Sequence, residues 1–230
     1  MNNDLPTFVI GIPIYAGVDL LDVTAPCEMF SWMKSAVAAT MNVEVCVVAP
    51  TSDPIKTRGG LRLVPDQTFA ATPRIDLLWV PGGDLEPLKK MMSDKTYLGF
   101  LRSRSRAATY VTSVCEGALL LASAGLLAGH RVTTHWAFVP CLRRFRGVRI
   151  APGHPRFVVS PRPARKGKKR YLVTGGGISS GLDEALQLIK MIAGRKAAEG
   201  VQLNTQYYPE PPVSSRIPKT KSCPLDATTD

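Results

Sequence analysis

A chain of 230 residues, 45% hydrophobic and 20% charged, is long enough for one sizeable folded domain and short for two, and its composition excludes general disorder. The longest apolar stretch, residues 118–129, is interrupted by Ser123 and too short to span a bilayer, and MNNDLPT lacks the basic leader of a secretory signal. Much of the net charge of +11 gathers in three clusters, Arg102/Arg104/Arg106, Arg143/Arg144/Arg146/Arg149 and Arg165/Lys166/Lys168/Lys169/Arg170; with Phe145 the single aromatic ring among them, too little of a stacking platform for bases, they read as solvated surface, and no nucleic-acid or membrane partner is expected.

Residues 8–15 (FVIGIPIY) form a mostly apolar run broken by Pro13, a buried first strand. The turn GVDLLDVTAP leads to a helix over CEMFSWMKSAV, whose apolar residues recur at helical spacing. Residues 43–49 (VEVCVVA) predict the next strand, 51–65 a short polar hairpin, and 76–80 (DLLWV) a strand stopped by Pro81, Gly82 and Gly83. A helical segment follows over 85–105, then a β-branched strand over 109–114 (TYVTSV), a turn at Cys115 and Gly117, and an apolar helix over 118–127. Short strands are predicted at 131–134, 148–150, 157–160 and 171–174, with the basic run 165–170 as an exposed loop between the last two. Gly175, Gly176 and Gly177 lead into the amphipathic helix 182–193. They match a phosphate-binding loop only in part, without the Walker lysine, so no nucleotide cofactor is expected. Such βαβα alternation predicts an α/β fold with a mostly parallel sheet covered by helices on both faces. Residues 1–208 are read as one domain and the proline-rich remainder, 209–230, as an extended or disordered tail.

Sheets of this kind bind ligands beyond the carboxyl ends of their strands, where Asp22, Gly82 and Gly83, Cys115, and Gly175 to Gly177 all fall. Cys115 is the candidate nucleophile: a strand–Cys–x–Gly–helix sequence forms a tight elbow that projects the side chain into the cleft. The following helix N-terminus is expected to favour a thiolate. The amide of Glu116, with Gly82 or Gly83, is aimed where an oxyanion would form. Asp22 is the candidate carboxyl partner, because Thr24 is free to cap the helix; Asp19 is its rival, and spacing does not choose between them. His135 and the glycines Gly176 and Gly177 are pocket candidates, whereas His154 has no supporting context. Five cysteines (Cys27, Cys46, Cys115, Cys141, Cys223) without a C-x-x-C pair argue against disulfides or structural zinc and for free thiols in a reducing, cytoplasmic setting. Cys46 and Cys27 fit the role of small buried hydrophobes.

PGGDLE, YVTSVCEGALLLASAGLLAGHRVTTHWA and LVTGGGISSGLDEAL resemble the ThiJ/PfpI superfamily of glutamine-amidotransferase-like proteins. LLDVTAP and VQLNTQYYPEPP are similar to the L-D-x-T-G-P turn and the closing Q-L-x-x-E-Y-x-P-x-P-P of its isonitrile (isocyanide) hydratase subgroup. The resemblance, over residues 8–212, implies a flavodoxin-like three-layer sandwich, a homodimer, Cys115 as nucleophile, Asp22 rather than Asp19 as its acid partner, and no metal or organic cofactor. It implies a cysteine-dependent hydratase, a carbon–oxygen lyase that converts a small isonitrile to an N-substituted formamide. Glyoxalase- or deglycase-like chemistry, or a non-enzymatic redox sensor whose thiol oxidises to sulfinate, are the alternatives. Two residues depart from the subgroup. Glu116 stands where the hydratases carry Thr and the superfamily's proteases and amidases carry His, and a carboxylate there raises a neighbouring thiol pKa. Ala25 replaces the glycine of T-G-P. Related transcription regulators add a C-terminal helix-turn-helix region, which is not expected in a chain that stops at Asp230 after a short tail.

Overall fold

The computed structural model describes residues 5–72 and 74–226; residues 1–4 and 227–230, on which parts of the leader and tail readings fell, lie outside the described residues. β1 (Thr7–Pro13) is buried from residue 9 onward, as a central strand covered on both faces must be. It leads to α1 (Leu20–Val37), β2 (Asn42–Ala49), a hairpin of β3 (Ile55–Lys56) and β4 (Arg62–Leu63), β5 (Gln67–Thr68) and β6 (Leu77–Val80). Then come α2 (Leu85–Met91), α3 (Lys95–Ala107), β7 (Tyr110–Ser113), α4 (Gly117–Ser123), β8 (Arg131–Val132), α5 (Val139–Leu142) and β9 (Arg149–Ile150). The antiparallel pair β10 (Phe157–Arg165) and β11 (Lys168–Gly175) precedes α6 (Ser180–Ala193) and α7 (Arg195–Asn204).

Seven strands form one sheet in the order β10-β11-β7-β6-β1-β2-β5, parallel except where β10 meets β11. α1, α6 and α7 pack on one another, and α3 and α4 pack together against β6, giving the expected three layers. Trp79 of β6 locks two of them. Its ring is wholly buried, stands edge-on to Phe30 of α1, and gives its indole N–H to the Asp22 carbonyl at 2.9 Å. The strand order turns back at β1, with β2 on one side and β6 on the other, so the crevice beyond β1 and β6 is the fold's switch point. Among the described residues no helix is long and apolar enough to cross a membrane.

Several local expectations change. The segment LLDVTAP is not a turn: α1 begins at Leu20 and holds Pro26. Thr24 does not cap it, because its hydroxyl donates back to the Leu20 carbonyl at 3.0 Å. The single helix expected over 85–105 is two, divided where the Asp94 carboxylate accepts the Tyr97 N–H at 2.7 Å and starts α3 afresh. The basic run 165–170 is mostly strand, with only Lys166 and Gly167 forming the turn between β10 and β11. Arg162, Arg165 and Arg170 donate to the carbonyls of Ser105, Arg106 and Ala108, satisfying the C-terminal end of α3. The expectation of free thiols throughout also falls. Cys141 of α5 and Cys223 of the tail form a disulfide, while Cys27, Cys46 and Cys115 are free. An odd count with no C-x-x-C motif says nothing about a pair brought together across 82 positions by the fold.

Candidate active site

Cys115 sits between β7 and α4 with a φ of 55°, a left-handed conformation that costs a non-glycine residue about 1–3 kcal/mol. Backbone partners hold it there. Its N–H donates to the Gly176 carbonyl at 2.7 Å, and its own carbonyl accepts the Thr134 hydroxyl at 2.8 Å. Gly117 makes the elbow possible, since a Cβ there would overlap the Val80 carbonyl oxygen at the end of β6. Gly82 is confined in the same way by the Cys115 and Glu116 side chains.

The candidate carboxyl partner, Asp22, comes from the first turn of α1, not from a loop. Asp22 is fully buried, and its Oδ2 accepts the Gly82 N–H at 2.8 Å across the switch-point crevice. That amide is therefore committed to Asp22 and not free for an oxyanion, a correction to the reading of Gly82. Ligand-forming atoms of Asp19, Asp22 and Cys115 all lie within 4.8 Å of one another, so the two carboxyls that competed on the page of the sequence share one site. One thiolate and two carboxylates so spaced are also a donor set for a divalent cation, in competition with the protons they hold. Arg58, from the turn of the β3–β4 hairpin, reaches Asp19 at 3.4 Å and Asp84 at 3.7 Å. Glu116 completes the cluster, its Oε1 4.0 Å from His135 Nδ1. Asp19 Oδ2, Asp22 Oδ1, Glu116 Oε2 and the Tyr15 hydroxyl are buried without hydrogen-bond partners among the described residues. Unsatisfied buried oxygens converging on a sulfur mark a place prepared for a polar reacting group.

A cleft of about 540 Å³ adjoins this cluster, lined by Thr134, His135, Gly176 and Gly177. His135 packs against Gly177, where a Cβ would touch its ring. Of the residues singled out in the sequence, Asp22, Gly82, Cys115 and Glu116 form the buried core of the site, and His135, Gly176 and Gly177 form its neighbouring wall. His154 lines the same cleft farther out.

Residues 10–152 match the model of the DJ-1/PfpI family. The chain belongs to that family. It is 38% identical over 211 residues to the isonitrile hydratase of Pseudomonas putida, covering 92% of this chain and 83% of that one. The crystal structure of a ThiJ/PfpI family protein from Pseudomonas syringae, 31% identical, superposes with a TM-score of 0.77 over 91% of this chain and 78% of that one. Drosophila melanogaster DJ-1beta, 17% identical, shares the fold, with a TM-score of 0.71 over 87% of this chain and 98% of that one.

Within this DJ-1/PfpI architecture the electrostatics overturn one expectation. The thiol is not held ionised: burial first, then the charges of Asp22 and Glu116, push Cys115 well above the ordinary thiol range. α4 is short, and its N-terminal partial charge does not offset burial and the charges of three nearby carboxyls. Burial likewise raises Asp22 well above the usual carboxyl range, against the pull of the Gly82 N–H. Glu116 is raised to about 7 by burial, with the Cys115 thiol hydrogen bond pulling the other way. Burial lowers His135, which leaves its imidazole neutral. Burial thus favours the protonated form of both the thiol and Asp22, and Glu116 is the group poised near neutrality. Sequence reasoning missed Arg58 and Tyr15. Arg58 arrives from a hairpin with no motif, whereas Tyr15, at the carboxyl end of the first strand, stood where ligands bind.

Proposed function

We propose that this protein is an isonitrile hydratase, a lyase that adds water to a small isonitrile to give an N-substituted formamide, working as a cytoplasmic homodimer. The reading is carried by the Cys115 sulfur lying within 4.8 Å of the Asp22 carboxyl in a chain 38% identical to such an enzyme. Cys115 is the nucleophile, Asp22 the general acid, and Glu116 the base that takes the thiol proton.

As the sulfur attacks the terminal carbon of the isonitrile, its proton passes to Glu116 and the Asp22 proton passes to that carbon. The product is a thioimidate bound to Cys115. Water then adds to the imine carbon: Asp22 takes a proton from the water and Glu116 returns one to the nitrogen. Collapse breaks the carbon–sulfur bond, the hydroxyl proton returns to the sulfur, and the formamide leaves with all three groups restored. Glu116 thus assists, where a threonine hydroxyl at its position would not take up the thiol proton near neutral pH. A thiol kept protonated at rest reacts slowly with peroxide, which weighs against the redox-sensor alternative.

Incubation with an alkyl isonitrile, with the formamide followed by mass spectrometry, tests the assignment. Turnover by the wild type that disappears in Cys115→Ala is the expected result; no turnover by the wild type, or undiminished turnover by the variant, overturns it.

A further inference from the structure

Beyond α7 the chain has little regular structure, yet it is fastened at both ends. At its start Gln202 donates to the Tyr207 carbonyl at 3.3 Å, and the Tyr207 hydroxyl donates to Asp183 at 3.3 Å. At its far end the Cys141–Cys223 disulfide ties it to α5, followed by a 3-10 turn, Pro224–Asp226, whose Asp226 accepts both terminal nitrogens of Arg144. Between these anchors Pro209, Pro211, Pro212 and Pro218 stiffen the segment and carry no N–H that would need a partner.

Residues of this segment line two clefts. The cleft of about 540 Å³ beside the nucleophile has Ile217 of the tail as one of its walls. A second, of about 570 Å³, is lined by Leu182 of α6 and by Tyr207, Pro209 and Pro211. Arg156 and Ser179 line both, so the two adjoin as a groove bordered by tail residues. Gly176 and Thr134, the residues that hold the Cys115 backbone, line the first of them.

Building on the hydratase reading, we propose that residues 207–223 are the roof of the substrate groove, that Ile217 sets the size of the apolar substituent admitted, and that the Cys141–Cys223 disulfide is the latch. An isonitrile carries its reactive carbon at one end and little else to recognise except its hydrocarbon substituent, so specificity falls to an apolar wall. With the carbon at the buried sulfur, the substituent extends outward along the groove toward Ile217. A dithiol opens the latch by ordinary exchange. One thiolate attacks a sulfur of the bridge, and the second thiol closes the reductant's own disulfide, leaving Cys141 and Cys223 as thiols. In a cytoplasmic setting such a bridge is subject to reversible reduction.

The test uses the full-length oxidised protein, its bridge verified by non-reducing peptide mapping, beside Cys223→Ser. Unlatching is expected to speed tryptic cleavage after Arg216 and Lys219, and labelling of Cys115 by a bulky maleimide read at the peptide level, each on the order of tenfold. Equal rates in the two proteins overturn the roof. Reduction of wild type with dithiothreitol supplies the same proteolysis comparison should Cys223→Ser misfold. For the size filter, the ratio of kcat/KM for cyclohexyl isonitrile to that for methyl isonitrile is expected to rise about tenfold in Ile217→Ala and fall about tenfold in Ile217→Trp. A ratio that stays put, or moves the same way in both, overturns the filter. Labelling needs no isonitrile, so a protein that unlatches yet turns over no isonitrile refutes the hydratase reading and leaves the roof standing.

Discussion

Replacing Glu116 with Gln keeps the side chain's size beside Cys115 and Gly82 but removes its capacity to take a proton. Burial raises this carboxyl to about 7. A group with that pKa is about one-tenth ionised at pH 6 and about nine-tenths ionised at pH 8. If the ionised form receives the thiol proton, the wild-type kcat/KM rises about tenfold between those two pH values. At higher pH it falls again as Asp22, itself raised by burial, loses the proton it delivers to carbon. In Glu116→Gln the acid limb vanishes and turnover drops about 10²- to 10⁴-fold, the usual worth of a positioned general base. Initial rates of formamide release from a methyl isonitrile solution across pH 5.5 to 9 measure both effects, with alkylation of Cys115 followed alongside. An acid limb that persists near pH 7 in Glu116→Gln, or undiminished turnover, refutes the assignment of Glu116 as base.

The remaining expectations concern the residues around it. Asp22→Asn retains an oxygen for the Gly82 N–H but delivers no proton, so kcat should fall about 10²- to 10⁴-fold with the fold intact by circular dichroism. Arg58→Leu removes a positive charge that lowers both Asp19 and Glu116, so the acid limb of the same pH profile should move to higher pH. Gly117→Ala forces a methyl group into the Val80 carbonyl oxygen and should lower stability to urea by about 1–3 kcal/mol. Finally, Glu116 binds its proton more tightly folded than unfolded. Its contribution to stability is complete below its ordinary pKa of 4.5 and lost as pH rises to about 7. Denaturation midpoints across that window should show the wild type losing on the order of 3 kcal/mol that Glu116→Gln retains.

The elbow was legible because its requirements are local: a β-branched strand, the cysteine, and a small residue two positions on. The parallel sheet was legible because strands buried on both faces read as continuous apolar runs, as in LLWV of β6. The contest between Asp19 and Asp22 had no local answer, since the crevice between β1 and β6 gathers both carboxyls. Arg58 enters from a distant hairpin, and the Cys141–Cys223 pair closes across 82 positions; neither spacing nor composition encodes such meetings. The helix α7 went unmarked because RKAAEGVQLN is largely polar around a glycine, and its single fully buried residue, Val201, is fixed by packing on α1 and α6. The expected thiolate failed for a related reason. A helix start is visible in sequence, but the depth at which the fold buries the sulfur is not, and desolvation outweighs the helix.

β10 ends the sheet, and an end strand with vacant backbone groups invites a second chain to pair with it. Its residues blunt that invitation. Pro161 and Pro163 remove amide donors from the strand, and Arg162 and Arg165 bring charge while their guanidinium groups hold the end of α3. The arginines that make this chain so basic thus guard its most adhesive edge, and neutralising them would expose the folded protein to strand-by-strand aggregation well before it unfolds.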